Sequence, residues 1–230
     1  MKKILISAVI FGLTCFSAFA DQTNVGIKIT AATMEADGSH TTDSGSINSG
    51  GDAVKLSSKE ANFEIGSIFV ERQFSDVRGS MDVALGLDII PFTTEVEKLG
   101  GSNGFDATVE IGNLVTAYIQ PMFEASDNVT FFLKAGLATA DLEITGTSRQ
   151  AGSAGQTNDV QSTDGSQSKN LDGPMYGAGI QVAGGSLFDF IRLEGTVTDF
   201  DEITHTNSNG KVLKADAELT TVSLSLIKSF

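Results

Sequence analysis

The sequence predicts an all-β fold, an eight-stranded antiparallel up-and-down transmembrane β-barrel, and three observations carry the prediction. The final segment alternates Val222, Leu224 and Leu226 with Thr221, Ser223 and Ser225, and the chain ends on Phe230. A period of two, with one apolar and one small polar face, is a strand between two different solvents. Eight such segments occur, and their seven connections run long, short, long, short, long, short, long. Long loops on one side and short turns on the other are how an up-and-down barrel sits in a membrane. Finally, 25 glycines against 3 prolines favour strands and turns over long helices.

The chain opens with Lys2 and Lys3, an apolar run from Ile4 to Leu13, and Ala18-Phe19-Ala20. This is the pattern of a secretory signal over 1–20, with the barrel domain occupying 21–230 from Asp21 onward. The apolar run is too short to span a bilayer. Cys15, the single cysteine, lies within the signal and is removed with it. An exported domain without disulfides must draw its stability from a core or a closed barrel. Loss of Lys2 and Lys3 takes the net charge from −14 to −16, because residues 1–20 hold no acid. That charge excludes a general nucleic-acid binder, which needs a basic footprint, and suits a solvated outer face.

The segments are justified in order. The first, 24–35, sets Val25, Ile27 and Ile29 against Lys28 and Thr30, and a polar stretch follows. The second, 60–71, places Glu64 on the polar face, with Ile68 and Val70 breaking the pattern. It meets the third, 80–90, across a turn at Ser75-Asp76. There Met81, Val83, Leu85, Leu87 and Ile89 oppose Asp82, Ala84, Gly86 and Asp88. A Gly-rich loop over 97–104 leads to the fourth segment, 106–123, with Glu110 on the polar face and Asn113 toward lipid. The fifth, 129–144, sets Phe131, Leu133 and Leu137 against Lys134, Gly136 and Ala138. The longest insertion precedes the sixth, 175–183, where Tyr176, Ala178 and Ile180 oppose Gly177, Gly179 and Gln181. In the seventh, 190–200, Ile191, Leu193 and Val197 oppose Arg192, Glu194 and Thr196; a polar loop with Asn209-Gly210 precedes the eighth.

Glycines on the polar faces decide which way the faces point, since a narrow lumen has room only for small residues there. Lys28, Glu64, Asp82, Asp88, Glu110, Lys134, Arg192 and Glu194 are then enclosed together as three cations and five anions. Charges shut in such a space must pair or keep water, so a structural charge network is expected. Leu85→Arg on the lipid face is expected to be damaging and Gly86→Ser mild.

The stretches FIRLEGTVTDFDEIT and KADAELTTVSLSLIKSF, with SDNVTFFLKAGLATADLEIT before them, resemble the eight-stranded outer-membrane barrels of the OmpA-transmembrane and opacity-protein type. The resemblance covers about a third of the mature chain. Lys228 departs from it, standing where the family's terminal signature prefers Tyr. The resemblance implies location in the outer membrane of a Gram-negative bacterium, as a monomer with four long extracellular loops. It also implies Val222, Leu224, Leu226 and Phe230 as an assembly signal. The partners expected are outer-membrane lipid and lipopolysaccharide, the barrel-assembly machinery, periplasmic chaperones and an unidentified surface ligand, with no nucleic acid.

Catalytic chemistry is sparse in the sequence. His40 and His205 are the two histidines, both expected in long polar loops, and His205 has Asp201, Glu202 and Ser208 near it. Two isolated histidines without cysteine give no transition-metal site, and no D-x-D-x-D-G loop is present for calcium. No cofactor is expected. The function expected is a non-enzymatic role in envelope integrity or surface adhesion. A small porin-like channel and an outer-membrane lipid-modifying enzyme are the alternatives.

Overall fold

In the computed structural model, the residues described are 22–41, 53–55, 58–77, 81–100, 106–147, 167–206 and 212–230. The expected signal over 1–20 and most of the long connections lie outside them. Eight long strands form the wall: β1 (Gln22–Thr41), β3 (Lys59–Phe74), β4 (Met81–Ile90), β6 (Asp106–Ser126), β7 (Val129–Thr147), β8 (Gln167–Ala183), β9 (Phe190–Thr206) and β10 (Val212–Ser229). Two short strands, β2 (Ala53–Lys55) and β5 (Thr94–Gly100), extend the sheet on β1 and β6. β5 falls where a Gly-rich loop was expected.

All pairings are antiparallel between wall neighbours, and β10 pairs with β1 from Asn24↔Ser229 to His40↔Leu213. That last ladder joins the first and last wall strands into a ring. The Thr23 and Phe230 backbones exchange hydrogen bonds of 3.0 and 2.8 Å, so the closing ladder reaches the terminal residue.

Alternation sorts the side chains as the sequence indicates on most strands. Val25, Ile27 and Ile29, Leu133 and Leu137, and Leu193 and Val197 are exposed on the outside. Lys134, Arg192, Glu194, Thr198, Ser223 and Ser225 are buried inside. Two expectations are corrected. On β3, Ile68 is exposed while Ser67, Phe69, Glu71 and Gln73 are buried, so the odd residues point inward. Glu64 is therefore outside the lumen, and Glu71 takes the inward place. Ile68 and Val70 read as breaks only because the phase was set one residue off, which flips every side chain of a strand.

The second correction comes from a bulge on β6. Gly112 pairs with Asp141 and Val115 with Thr139, so β6 uses one residue more than β7 between these pairs. Asn113 occupies the bulge at φ 49° and hydrogen-bonds to Asp141 Oδ2 at 2.9 Å. An extra residue reverses the phase beyond it. Ile111, opposite Leu142, is thus buried, and Glu110, opposite exposed Glu143, falls on the other face, away from the lumen. The neighbouring strand breaks at the same height. Pro91, with no N–H to give a ladder, ends β4, and the chain resumes as β5 alongside Asp106–Ile111.

Candidate functional site

The lumen holds two stacked layers. Toward the long-loop end, Met34, Ile111, Leu142, Leu171, Phe200 and Leu219 pack with four buried alanines into an apolar cluster, and Phe63, Ile65 and Leu114 lie against it. Toward the end that carries the termini, the lumen is filled by charge.

Arg192 of β9 is the centre of the charged layer. Its Nη1 donates to Glu71 Oε1 at 2.6 Å and its Nη2 to Glu71 Oε2 at 2.9 Å, a bidentate pair. Nη2 and Nε also donate to Gln181 Oε1 at 2.8 and 3.1 Å. Tyr118 donates its hydroxyl to Glu71 Oε1 at 2.7 Å. Glu194, two residues along β9 and so on the same face, accepts from Lys134 at 2.5 Å and from Lys28 at 3.0 Å. Lys28 also pairs with Asp88. Three cations thus meet three anions, Glu71, Asp88 and Glu194, so this layer is neutral as a group. Buried charges persist only when paired in this way.

Aromatic rings pack the network. The Arg192 guanidinium lies 5.4 Å from the centroid of Phe69 and 5.0 Å from that of Phe132, and the Lys134 ammonium lies 4.2 Å from that of Tyr118. Each ring sits over a glycine directly across the ladder: Phe69 over Gly26, Tyr118 over Gly86 and Phe132 over Gly179. A Cβ at any of these glycines would fall within the ring beside it. These three glycines are seats for rings, and the rings hold the cations.

Of the residues expected in the lumen, Lys28, Asp88, Lys134, Arg192 and Glu194 are brought together. Asp82 lies at the mouth near the termini, where its Oδ2 accepts from Gln73 at 2.8 Å and its Oδ1 from the Asp76 N–H at 3.0 Å. Glu64 and Glu110 are outside. Gln181, placed on the polar face by the sequence, joins the charged layer; Glu71, Tyr118 and Gln120 do not stand out in the sequence. A correct phase for β3, with Ile68 and Val70 outward, would have found Glu71.

Between the layers lies a cavity of about 40 Å³, bounded by Lys28, Asp88, Lys134 and Glu194 below and by Ile65, Leu114 and Leu219 above. Buried Asp88 Oδ1 has no hydrogen-bond partner among the described residues. The space is large enough for water and polar enough on one side to hold it.

At the outer face, Val222 and Leu224 are exposed, Leu226 is half-buried and Phe230 is exposed at the terminal end. Lys228 bonds to Asp189 Oδ1 at 3.0 Å, and Asp189 Oδ2 accepts the Ser229 N–H at 2.7 Å. The Ser229 N–H, and after it Lys228, hold the Asp189 carboxyl below the ordinary range. Both histidines lie on strands rather than in loops: His40 of β1 and His205 of β9 each stand opposite Leu213 of β10. Among the described residues, no cluster of three or more His, Cys, Asp or Glu is placed to hold a metal ion.

These features define an eight-stranded barrel with a packed lumen and an apolar outer belt. No family model matches the chain, and no curated protein matches its sequence. Among solved structures it is similar to Ail, the attachment invasion locus protein of Yersinia pestis, in complex with the heparin analogue sucrose octasulfate. The identity is 12% and the TM-score 0.38, over 89% of this chain and 99% of that one. Neisserial surface protein A shows 11% identity and a TM-score of 0.38 over 86% and 96%. The outer-membrane protease OmpT from Escherichia coli shows 10% and 0.44 over 90% and 97%. The expectation of a non-enzymatic protein is corrected here, since the solved barrels similar to this chain include a protease.

Proposed function

We propose that this protein is an integral barrel of the Gram-negative outer membrane, exported by the signal over 1–20, with its termini in the periplasm. Its role lies in envelope integrity or surface interaction, adhesion in particular, exercised by the strand extensions and loops outside the membrane. The observation that carries this reading is the filling of the lumen. The neutral charge layer and the apolar layer above it occupy the barrel axis, so the outward surface is left for interaction. That surface is acidic: Glu35, Glu60, Asp199 and Glu218 lie exposed beyond the apolar belt.

Two measurements test the reading. Surface labelling of intact cells is expected to reach a tag inserted at 207–211, and the unboiled protein is expected to migrate differently from the boiled one on a denaturing gel. Cells carrying the protein are expected to bind a host-cell or matrix-coated surface more than cells whose 148–166 segment is replaced by a short Gly-Ser linker. Recovery from the soluble periplasm would refute the location. Equal adhesion by the two strains would refute the adhesive role.

A further inference from the structure

The outer wall carries a groove of about 520 Å³ over β3, β1, β10 and β9, bordered by Ile29, Leu193, Val222, Leu224, Gly66 and Glu64. Apart from Glu64, its outward walls are apolar: Ile29 is 66% and Val222 58% exposed. The ladders place Glu64, Ala31, Val222 and Gly195 in one row across these four strands. Gly66 and Gly195 differ from the inward glycines. A Cβ at Gly66 would meet nothing nearer than the Lys28 carbonyl oxygen at 3.9 Å, and one at Gly195 nothing nearer than that of Thr221 at 3.7 Å. Barrel packing does not require them to be small, yet their smallness keeps the groove open.

Glu64 is the second feature. It is exposed on the outer face, at the end of the groove nearer the long loops, and has no ion-pair partner among the described residues. A carboxylate bordering hydrocarbon is costly unless a cation meets it. Resting on the membrane reading above, we propose that this groove binds one lipid of the surrounding bilayer. The acyl chain lies along Ile29, Leu193 and Leu224, and a protonated primary amine in the head group bonds to Glu64. The ammonium supplies the missing charge and the groove the apolar contact; a quaternary amine has no N–H to give.

The test uses the full barrel in phosphatidylcholine nanodiscs doped equally with phosphatidylethanolamine and phosphatidylglycerol, with retained lipid counted by native mass spectrometry. Wild type is expected to retain one phosphatidylethanolamine, favoured over phosphatidylglycerol by about fivefold, the ratio a single partly exposed ion pair supports. Glu64→Gln is expected to keep a lipid and lose the preference. Gly66→Leu with Gly195→Leu, both pointing outward, is expected to lose the lipid. Equal retention of the two lipids by wild type, an unchanged ratio in Glu64→Gln, or a second copy of the chain retained in place of lipid would overturn the proposal. A wild-type chain that does not enter the nanodisc, judged by the heat-dependent gel shift, would instead overturn the membrane reading beneath it.

Discussion

Replacement of Arg192 by Met removes the centre of the charged layer while keeping an apolar side chain of similar length. Glu71 is fully buried, and both of its oxygens are held by Arg192. After the change its carboxylate keeps the Tyr118 hydroxyl at 2.7 Å as its one direct donor among the described residues, and the layer carries one uncompensated negative charge. Breaking a buried pair from one side costs about 3–5 kcal/mol, a factor of about a hundred or more in the folding equilibrium. Met cannot replace the hydrogen bonds to Gln181 and Gln120, which adds to the cost. Removing the charge from both sides, in Glu71→Gln with Arg192→Met, leaves no unpaired ion. The double variant is therefore expected to be more stable than Arg192→Met alone. Urea unfolding from lipid vesicles, followed by the fraction with folded mobility on unboiled gels, measures each stability. An Arg192→Met variant within about 0.5 kcal/mol of wild type, or single-variant losses that simply add in the double variant, would refute the reasoning.

Three further predictions follow from other parts of the wall. Gly86→Ala pushes Tyr118 off its seat and is expected to cost about 1–3 kcal/mol, while Gly66→Ala, facing open space, is near neutral in the same urea assay. Leu85→Arg places a charge on the outer belt and is expected to cost about 2–4 kcal/mol near the bilayer midplane; insertion yield at wild-type level would count against the assigned facing. Asp189, its carboxyl held below the ordinary range by Ser229 and Lys228, stabilises the end of β10 above the unfolded Asp value near ~3.9, and this contribution fades as pH falls through the lower folded value. Asp189→Asn is thus expected to unfold more readily than wild type at pH 7, and the difference is expected to shrink as pH falls below the unfolded Asp value, as monitored by folded gel mobility.

What could be read from the sequence was whatever a single strand states about itself. On β9 the alternation of Ile191 and Leu193 with Arg192 and Glu194 holds from Ile191 to Phe200, and the face of each residue there follows from it. On β3 the inward face carries Phe69 and the outward face carries Glu64, so polarity alone misassigns the phase; cross-strand pairing with Gly26 settles it. Glu110 was lost for another reason. The bulge at Asn113 reverses the phase of β6, and local composition does not announce a bulge. The expected mildness of Gly86→Ser is corrected by the same kind of information, since the Tyr118 ring that fills the space above Gly86 belongs to a strand some thirty residues away in sequence. Lys228 departs from the family's terminal signature in the sequence. Its partner Asp189 lies in the β8–β9 turn, beyond the reach of any reading of β10 by itself.

The claim that the lumen is filled rather than conducting is tested most directly by single-channel recording of the purified barrel in planar lipid bilayers at neutral pH. With the Glu71, Asp88 and Glu194 carboxylates paired to Lys28, Lys134 and Arg192, and the apolar layer stacked above them, insertion is expected to leave the bilayer current at its baseline. Stable unitary steps that scale with salt concentration, seen with wild type in the absence of any substitution, would show a continuous water path and contradict the account.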